Sequence, residues 1–120
     1  MAEDLTNFRL STYANAVADK LVQTGFFDYA TTAAKFALGY TIKYHYDDFD
    51  PASYQIPDSG GSNYNVGSLD SDGQIAVLIK ALYPQTTVPY QYMRALIVFG
   101  LTELGEKEEQ EGIHAISAFL

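Results

Sequence analysis

The pattern of apolar and polar positions starts as an alternation and then changes to helical spacing. In Asn7-Phe8-Arg9-Leu10-Ser11, apolar Phe8 and Leu10 alternate with polar Asn7, Arg9 and Ser11. A period of two puts the two sets on opposite faces of a strand. So short a strand needs a partner in water, and the nearest one is the same strand of a second copy. From Tyr13 the period changes. Tyr13, Val17 and Leu21 recur at i, i+4 and i+8, with Ala14 and Ala18 beside them and Asp19 and Lys20 on the wet side. This predicts an amphipathic helix capped by Ser11 or Thr12. Gly25 stops it in the left-handed position, Phe26 and Phe27 pack across the corner, and Asp28 is expected to cap a second helix. There Ala30, Ala33, Ala34, Ala37 and Thr41, extended by Leu38 and Ile42, form a face that lets another helix approach closely. Phe36, Tyr40 and Tyr44 form a second side, which predicts a helix buried between two layers or in a subunit contact.

The second half repeats the helical theme after a long interruption. Tyr44 to Gly73 holds no Lys or Arg and is punctuated by Pro51, Pro57, Gly60 and Gly61. It reads as an acidic loop with one short strand near Tyr64-Asn65-Val66, and a loop of that length in a compact domain is usually functional or disordered. Asp72 is expected to cap a third helix carrying Ile75, Leu78, Ile79 and Leu82, ended by Pro84. Pro89 suits the first turn of a fourth helix, which runs to about Leu104. Its stretch Ala95 to Leu101 is apolar all round, as in the most buried helix of a domain. A solvated Glu-rich extension follows to Gly112, then an apolar tail, Ile113 to Leu120.

The fold class expected is therefore mainly α: a short N-terminal β-ribbon followed by about four helices, ribbon-helix-helix-like in its first module. At 120 residues the chain is one domain. It divides into a strand-helix-helix module (7–44), the acidic loop (45–71), a second helix pair (72–106), and an acidic segment with the apolar tail (107–120). Met1-Ala2-Glu3-Asp4 has neither the basic nor the apolar segment of a secretion signal, no apolar run reaches membrane-spanning length, and cysteine is absent. A cytoplasmic protein without disulfides or thiolate metal sites is expected.

Charge narrows the function classes. Seven basic against fifteen acidic residues give a net charge of −8, which argues against a broad, non-specific nucleic-acid surface. Four of the cations, Arg9, Lys20, Lys35 and Lys43, lie in the first module, so a local basic patch is compatible with the total. Asp70-Ser71-Asp72-Gly73 resembles part of a calcium loop, but in that register Ile79 stands where the bidentate Glu belongs; a turn with a helix cap is the better reading. Asp47, Asp48 and Asp50 offer hard oxygen ligands, yet acidic surface loops without metal are commoner. His45 and His114 have no second His or Cys nearby in sequence. Gly60-Gly61-Ser62 lacks the lysine of a phosphate loop. There is no nucleophile elbow and no recognisable acid–base carboxylate pair. No catalytic residue, metal site or cofactor is expected.

The strand carries the most pointed chemistry. In ribbon-helix-helix repressors, paired strands enter the major groove and their outward polar side chains read base edges. Asn7, Arg9 and Ser11 are of the right types, because amides and guanidinium groups make paired hydrogen bonds to purines. Phe8-Arg9-Leu10-Ser11, Thr24-Gly25-Phe26 and Ala33-Ala34-Lys35-Phe36-Ala37-Leu38 together resemble the DndE family, the small subunit associated with DNA sulfur modification (phosphorothioation). Downstream, Asn65-Val66-Gly67-Ser68-Leu69-Asp70 and Phe99-Gly100-Leu101-Thr102-Glu103-Leu104 extend the resemblance, which covers roughly Phe8 to Glu106. It implies a compact helical protein that self-associates, acts in DNA modification and binds nicked duplex through surface lysines. This chain departs from that pattern in having few basic residues. The acidic loop and the Glu-rich segment repel phosphates within a Debye length of about 8 Å.

The expectation is a non-enzymatic DNA-associated accessory protein that forms homo-oligomers. Arg9, with Asn7 and Ser11, would meet base edges or phosphates, and Lys35 and Lys43 phosphates only. The alternative is an acidic helical adaptor that binds a basic protein partner and never touches DNA. A β-branched residue resists positive φ, so Gly25→Val is expected to lower the melting temperature, read by circular dichroism.

Overall fold

The computed structural model describes residues 3–120; Met1 and Ala2, on which the expectation of a leaderless start partly rests, lie outside the described residues. The chain forms β1 (Asn7–Arg9), α1 (Thr12–Gln23), α2 (Ala30–His45), β2 (Asn63–Asn65), α3 (Val66–Leu69), α4 (Gln74–Leu82), α5 (Pro89–Glu111) and a terminal 3-10 helix (Ile113–Phe119). The protein is mainly helical, with one short antiparallel sheet. The one-turn α3 and the 3-10 helix add to the four helices expected. No helix is long and apolar enough to cross a membrane among the described residues.

α5 is the axis of the fold. Pro89 sits in its first turn, and the helix runs unbroken for 23 residues, through the Glu-rich stretch to Gly112. Its middle is buried on every side: Ala95, Leu96, Ile97, Val98 and Leu101 are all at most 3% exposed. α2 approaches it closely where Ala37 and Thr41, on its small-residue face, meet Gly100. A Cβ on Gly100 would run into the Ala37 carbonyl oxygen and Thr41 Oγ1. At the same place Thr41 Oγ1 lies 3.0 Å from Ala37 O and 2.8 Å from Leu96 O. Its single hydrogen is shared between the two carbonyls, which satisfies a hydroxyl that has no access to water.

α1 ends as its sequence implies. Gly25 has φ +87°, Gly25 N donates to Val22 O and Phe26 N to Leu21 O, the paired bonds of a Schellman motif. Two other caps differ from expectation. Asp28 is exposed and does not cap α2; the residue before the helix is Tyr29, with no side-chain cap. At α4 the Asp72 carboxylate takes Gln74 N at 3.1 Å, but the inner amides belong to Asp70. The Asp70 carboxylate, 6% exposed, accepts Ile75 N, Ala76 N and the Tyr90 hydroxyl at 2.8, 3.0 and 2.9 Å. One buried acid thus closes α4 and ties it to α5. The start of α5 is capped from the other end of the chain: Asp4 accepts Tyr90 N at 2.8 Å and Gln91 N at 3.1 Å.

The sheet is made within one chain, which corrects the expected pairing with a second copy. β1 pairs antiparallel with β2 in the register Asn7 with Asn65, Phe8 with Tyr64 and Arg9 with Asn63. Phe8 and Tyr64 point into the core, and Asn7, Arg9, Asn63 and Asn65 face out. The other two grounds for self-association are also taken up internally. The second side of α2 is covered in part, where Phe36 meets Phe27 and Tyr40 meets Phe119, both pairs at 5.2 Å between ring centroids, while Tyr44 stays 46% exposed. The apolar tail docks through Ile116, which is fully buried.

Gly100→Ala must push α2 off α5 or distort one of them. Overpacking of this kind costs about 1–3 kcal/mol, and chemical denaturation should show that loss, with the helical spectrum retained.

Candidate nucleic-acid interface

Alternation places Asn7 and Arg9 on one face of β1, and the antiparallel register sets Asn65 and Asn63 beside them. The exposed face of the ribbon is therefore three asparagines and an arginine. Arg94, from the first half of α5, completes it. Its Nε donates to the Arg9 carbonyl at 2.7 Å and its Nη2 to Ser59 Oγ at 3.1 Å. Arg9 Nη1 donates to Gly61 O at 2.6 Å. Asn7, Arg9, Ser59, Asn63 and Arg94 line one shallow surface depression.

The electrostatics of this patch are set by what the arginines do not touch. They are the only arginines of the chain, and neither pairs with a carboxylate among the described residues; their partners are neutral oxygens. Burial lowers the Arg94 guanidinium from its ordinary value, but guanidinium stays charged at neutral pH. Two positive charges held by neutral acceptors, each with N–H groups to spare, suit an anionic oxygen ligand.

The loop after α2 builds the other wall. Asp58 Oδ1 accepts Thr12 N at 2.7 Å, Thr12 Oγ1 at 2.9 Å and Gly60 N at 2.9 Å. Asn15 Oδ1 accepts Ser62 N at 3.1 Å. These bonds fasten residues 58–62 to the first turn of α1, and that segment supplies Ser59 Oγ and Gly61 O to the two arginines. The Thr12 amide, then the Gly60 amide and the Thr12 hydroxyl, hold the Asp58 carboxyl below its ordinary value. Part of the loop read as a phosphate-repelling acidic stretch thus positions the arginines.

The five residues expected at a nucleic-acid site separate into three groups. Asn7 and Arg9 stand on the exposed ribbon face. Ser11 does not: the strand ends at Arg9, and Ser11 is 1% exposed, with its hydroxyl accepting Ala14 N at 3.1 Å as the cap of α1. Lys35 and Lys43 are exposed on α2, and Lys43 lies over the Tyr44 ring at 5.3 Å; neither lines the depression. Arg94, Asn63, Asn65 and Ser59 join the site without having been singled out. The signal for Arg94 was its rarity as one of two arginines in an acidic chain, at the edge of an apolar run.

The other candidate chemistry is dispersed. Asp50 Oδ1 accepts Ala52 N in a turn. Asp48 faces His45 Nδ1 at 3.1 Å, and Glu103 lies 3.5 Å from His45 Nε2. Among the described residues no group of three or more His, Cys, Asp or Glu side chains could hold a metal ion.

A carboxylate with a lowered value favours the folded state at neutral pH, and that contribution is lost as pH falls through its folded value. Asp58→Asn should therefore lower the melting temperature at neutral pH. The gap to the parent protein should close as the pH drops below the ordinary value of 3.8, in thermal melts across the acid range. Comparison with protein-family models, with curated proteins and with solved structures finds no match to this chain.

Proposed function

We propose that this chain is a non-enzymatic DNA-associated accessory protein, similar to the DndE subunit of DNA sulfur modification, and that it meets duplex or nicked DNA through the polar face of its ribbon. The observation that carries this reading is the pair Arg9 and Arg94, charged and, among the described residues, free of carboxylate partners, on an asparagine-rich face of a protein with net charge −8. Asparagine and arginine are the side chains that make paired hydrogen bonds to adenine and guanine edges, and guanidinium also grips phosphate in two-point fashion. The ribbon reads in the manner of a ribbon-helix-helix protein, with one chain supplying both strands. Phosphate contacts are confined to this patch, so binding is local, and the acidic remainder excludes non-specific sliding along duplex.

A second reading has its own observation. Glu106, Glu109 and Glu111 are exposed along the last turns of α5, as are Asp47 and Asp48 after α2. An adaptor would use that surface for a basic protein partner and leave DNA untouched.

Fluorescence anisotropy of labelled intact and nicked duplexes at two salt concentrations separates the two. The parent protein should bind at low salt, and Arg94→Ala and Arg9→Ala should each weaken binding. Removing one phosphate contact should flatten the dependence of log affinity on log salt by about one. Equal affinity for parent and both variants, or no binding at low salt, removes the DNA reading and favours the adaptor.

A further inference from the structure

In a chain with fifteen acids, two adjoining surface hollows are lined by no Asp or Glu and between them hold both arginines. One is the depression on the ribbon face. The other is a groove of about 380 Å³ that shares Leu5 and Arg94 with it and lies between the loop after α2 and the first turns of α5. That volume falls within the range of about 300–1,000 Å³ usual for small-ligand sites.

The depression is polar, whereas the groove is walled by Tyr54, Ile56 and Tyr92, each half-buried. Both tyrosine rings are braced by other rings. Tyr54 packs against Phe49 and Phe99, at 5.2 and 5.8 Å between ring centroids, and Tyr92 against Tyr83 at 5.5 Å. Aromatic faces fixed before a ligand arrives lose little freedom when it binds. The polar side chains of the groove are exposed Gln91 and Arg94. Arg94 uses Nε on the Arg9 carbonyl and Nη2 on Ser59 Oγ, which leaves Nη1 without an acceptor among the described residues. Asp4, the acid beside Leu5, is held by the Tyr90 and Gln91 amides at the start of α5 and does not line the groove.

A guanidinium with free N–H groups beside a tyrosine-walled groove matches a ligand with two parts, an anionic oxygen and a flat ring a short distance from it. A nucleotide has both. In a duplex each base is stacked between its neighbours and shows only its edges, so its ring can enter the groove only when the nucleotide leaves the stack. We propose that the groove takes one unstacked nucleotide of a DNA strand, with its base against Tyr54 or Tyr92 and its phosphate on Arg94. This contact depends on the DNA reading above and narrows it: the ribbon meets the paired region, and the groove beside it takes an extrahelical base. Stacking on an aromatic ring tolerates any base, so the groove selects the shape of the strand and leaves sequence to the ribbon.

Fluorescence anisotropy with the full chain tests this on three labelled duplexes of one sequence: fully paired, carrying a single-nucleotide bulge, and carrying the same bulge without its base. The bulged duplex should bind about tenfold more tightly than the paired one, the scale of one base–aromatic stack. The baseless bulge keeps the extra phosphate but offers nothing to stack, so it should lose that gain. In Tyr92→Ala the ratio between bulged and paired duplex should fall towards one, with the helical spectrum checked by circular dichroism. The baseless comparison uses the parent protein, so it holds whatever that substitution does to folding. Equal affinity for paired and bulged duplexes overturns the inference and leaves the DNA reading standing. A baseless bulge bound as tightly as the intact one does the same. No binding to any of the three overturns both. A free deoxynucleoside monophosphate bound as tightly as the bulged duplex would make the groove a site for a small nucleotide and overturn its assignment to a strand.

Discussion

Everything in this structure is hung on the contact between α2 and α5. Two helices can approach closely only where side chains leave room, and here the room is made by Gly100, by Ala37 and by Thr41, whose hydroxyl is absorbed by carbonyls of both helices. Because the approach is limited by backbone atoms, the crossing has little freedom to adjust. Interiors packed at crystal-like density transmit such a constraint to their neighbours. α1, α4 and the terminal 3-10 helix then occupy what remains of the α5 surface, and the ribbon closes against the side where Arg94 emerges.

The polar groups of the interior follow from that arrangement. Asp70 sits just outside the usual cap position of α4 and Asp4 far along the chain from α5, yet each satisfies backbone amides that a helix start leaves unpaired. Asp70 also engages the Tyr90 hydroxyl, one residue into α5 from the proline, and Asp4 takes the Tyr90 amide itself. The first turn of α5 is thus held by two acids from different parts of the chain. With that turn fixed, Arg94 is placed one turn later with its guanidinium against the carbonyl of Arg9. The surface patch is in this sense a product of helix capping.

What could be read from the sequence was what depends on neighbours along the chain. The strand alternation, the stripe of Tyr13, Val17 and Leu21, the stop at Gly25 and the proline start of α5 are local signals, and each corresponds to an element. The strand near Tyr64 was legible too, but its pairing with β1 was not, because a long loop and two helices separate the two in sequence and the pairing rests on tertiary placement. The caps failed for a related reason. Asp28 and Asp72 stand where a capping acid should, but Asp28 is left in solvent, and Asp70 reaches the inner amides of α4 that Asp72 does not. Of the site, Asn7 and Arg9 were legible because their face was. Ser11 leaves that face because the strand ends at Arg9, and its hydroxyl caps α1, as one of the two caps read from the sequence. Arg94 could not be found by periodicity, since its role depends on a loop more than thirty positions away in sequence.

The ribbon also has a place in time. Its strands are three residues each and its side-chain tie from Arg9 to Gly61 spans 52 positions, whereas the Schellman turn and the helices close over a few residues. Loop-closure entropy makes distant pairings wait for the local structure that brings them together. The helices around α5 therefore have a core to build before the ribbon has anything to close on. The same short ladder, with half its side chains in water, sits at the low end of the range of local opening free energies. By that reasoning the surface that carries the two arginines is expected to assemble after the helices and to open before them, so that its amides exchange with solvent ahead of those of α5.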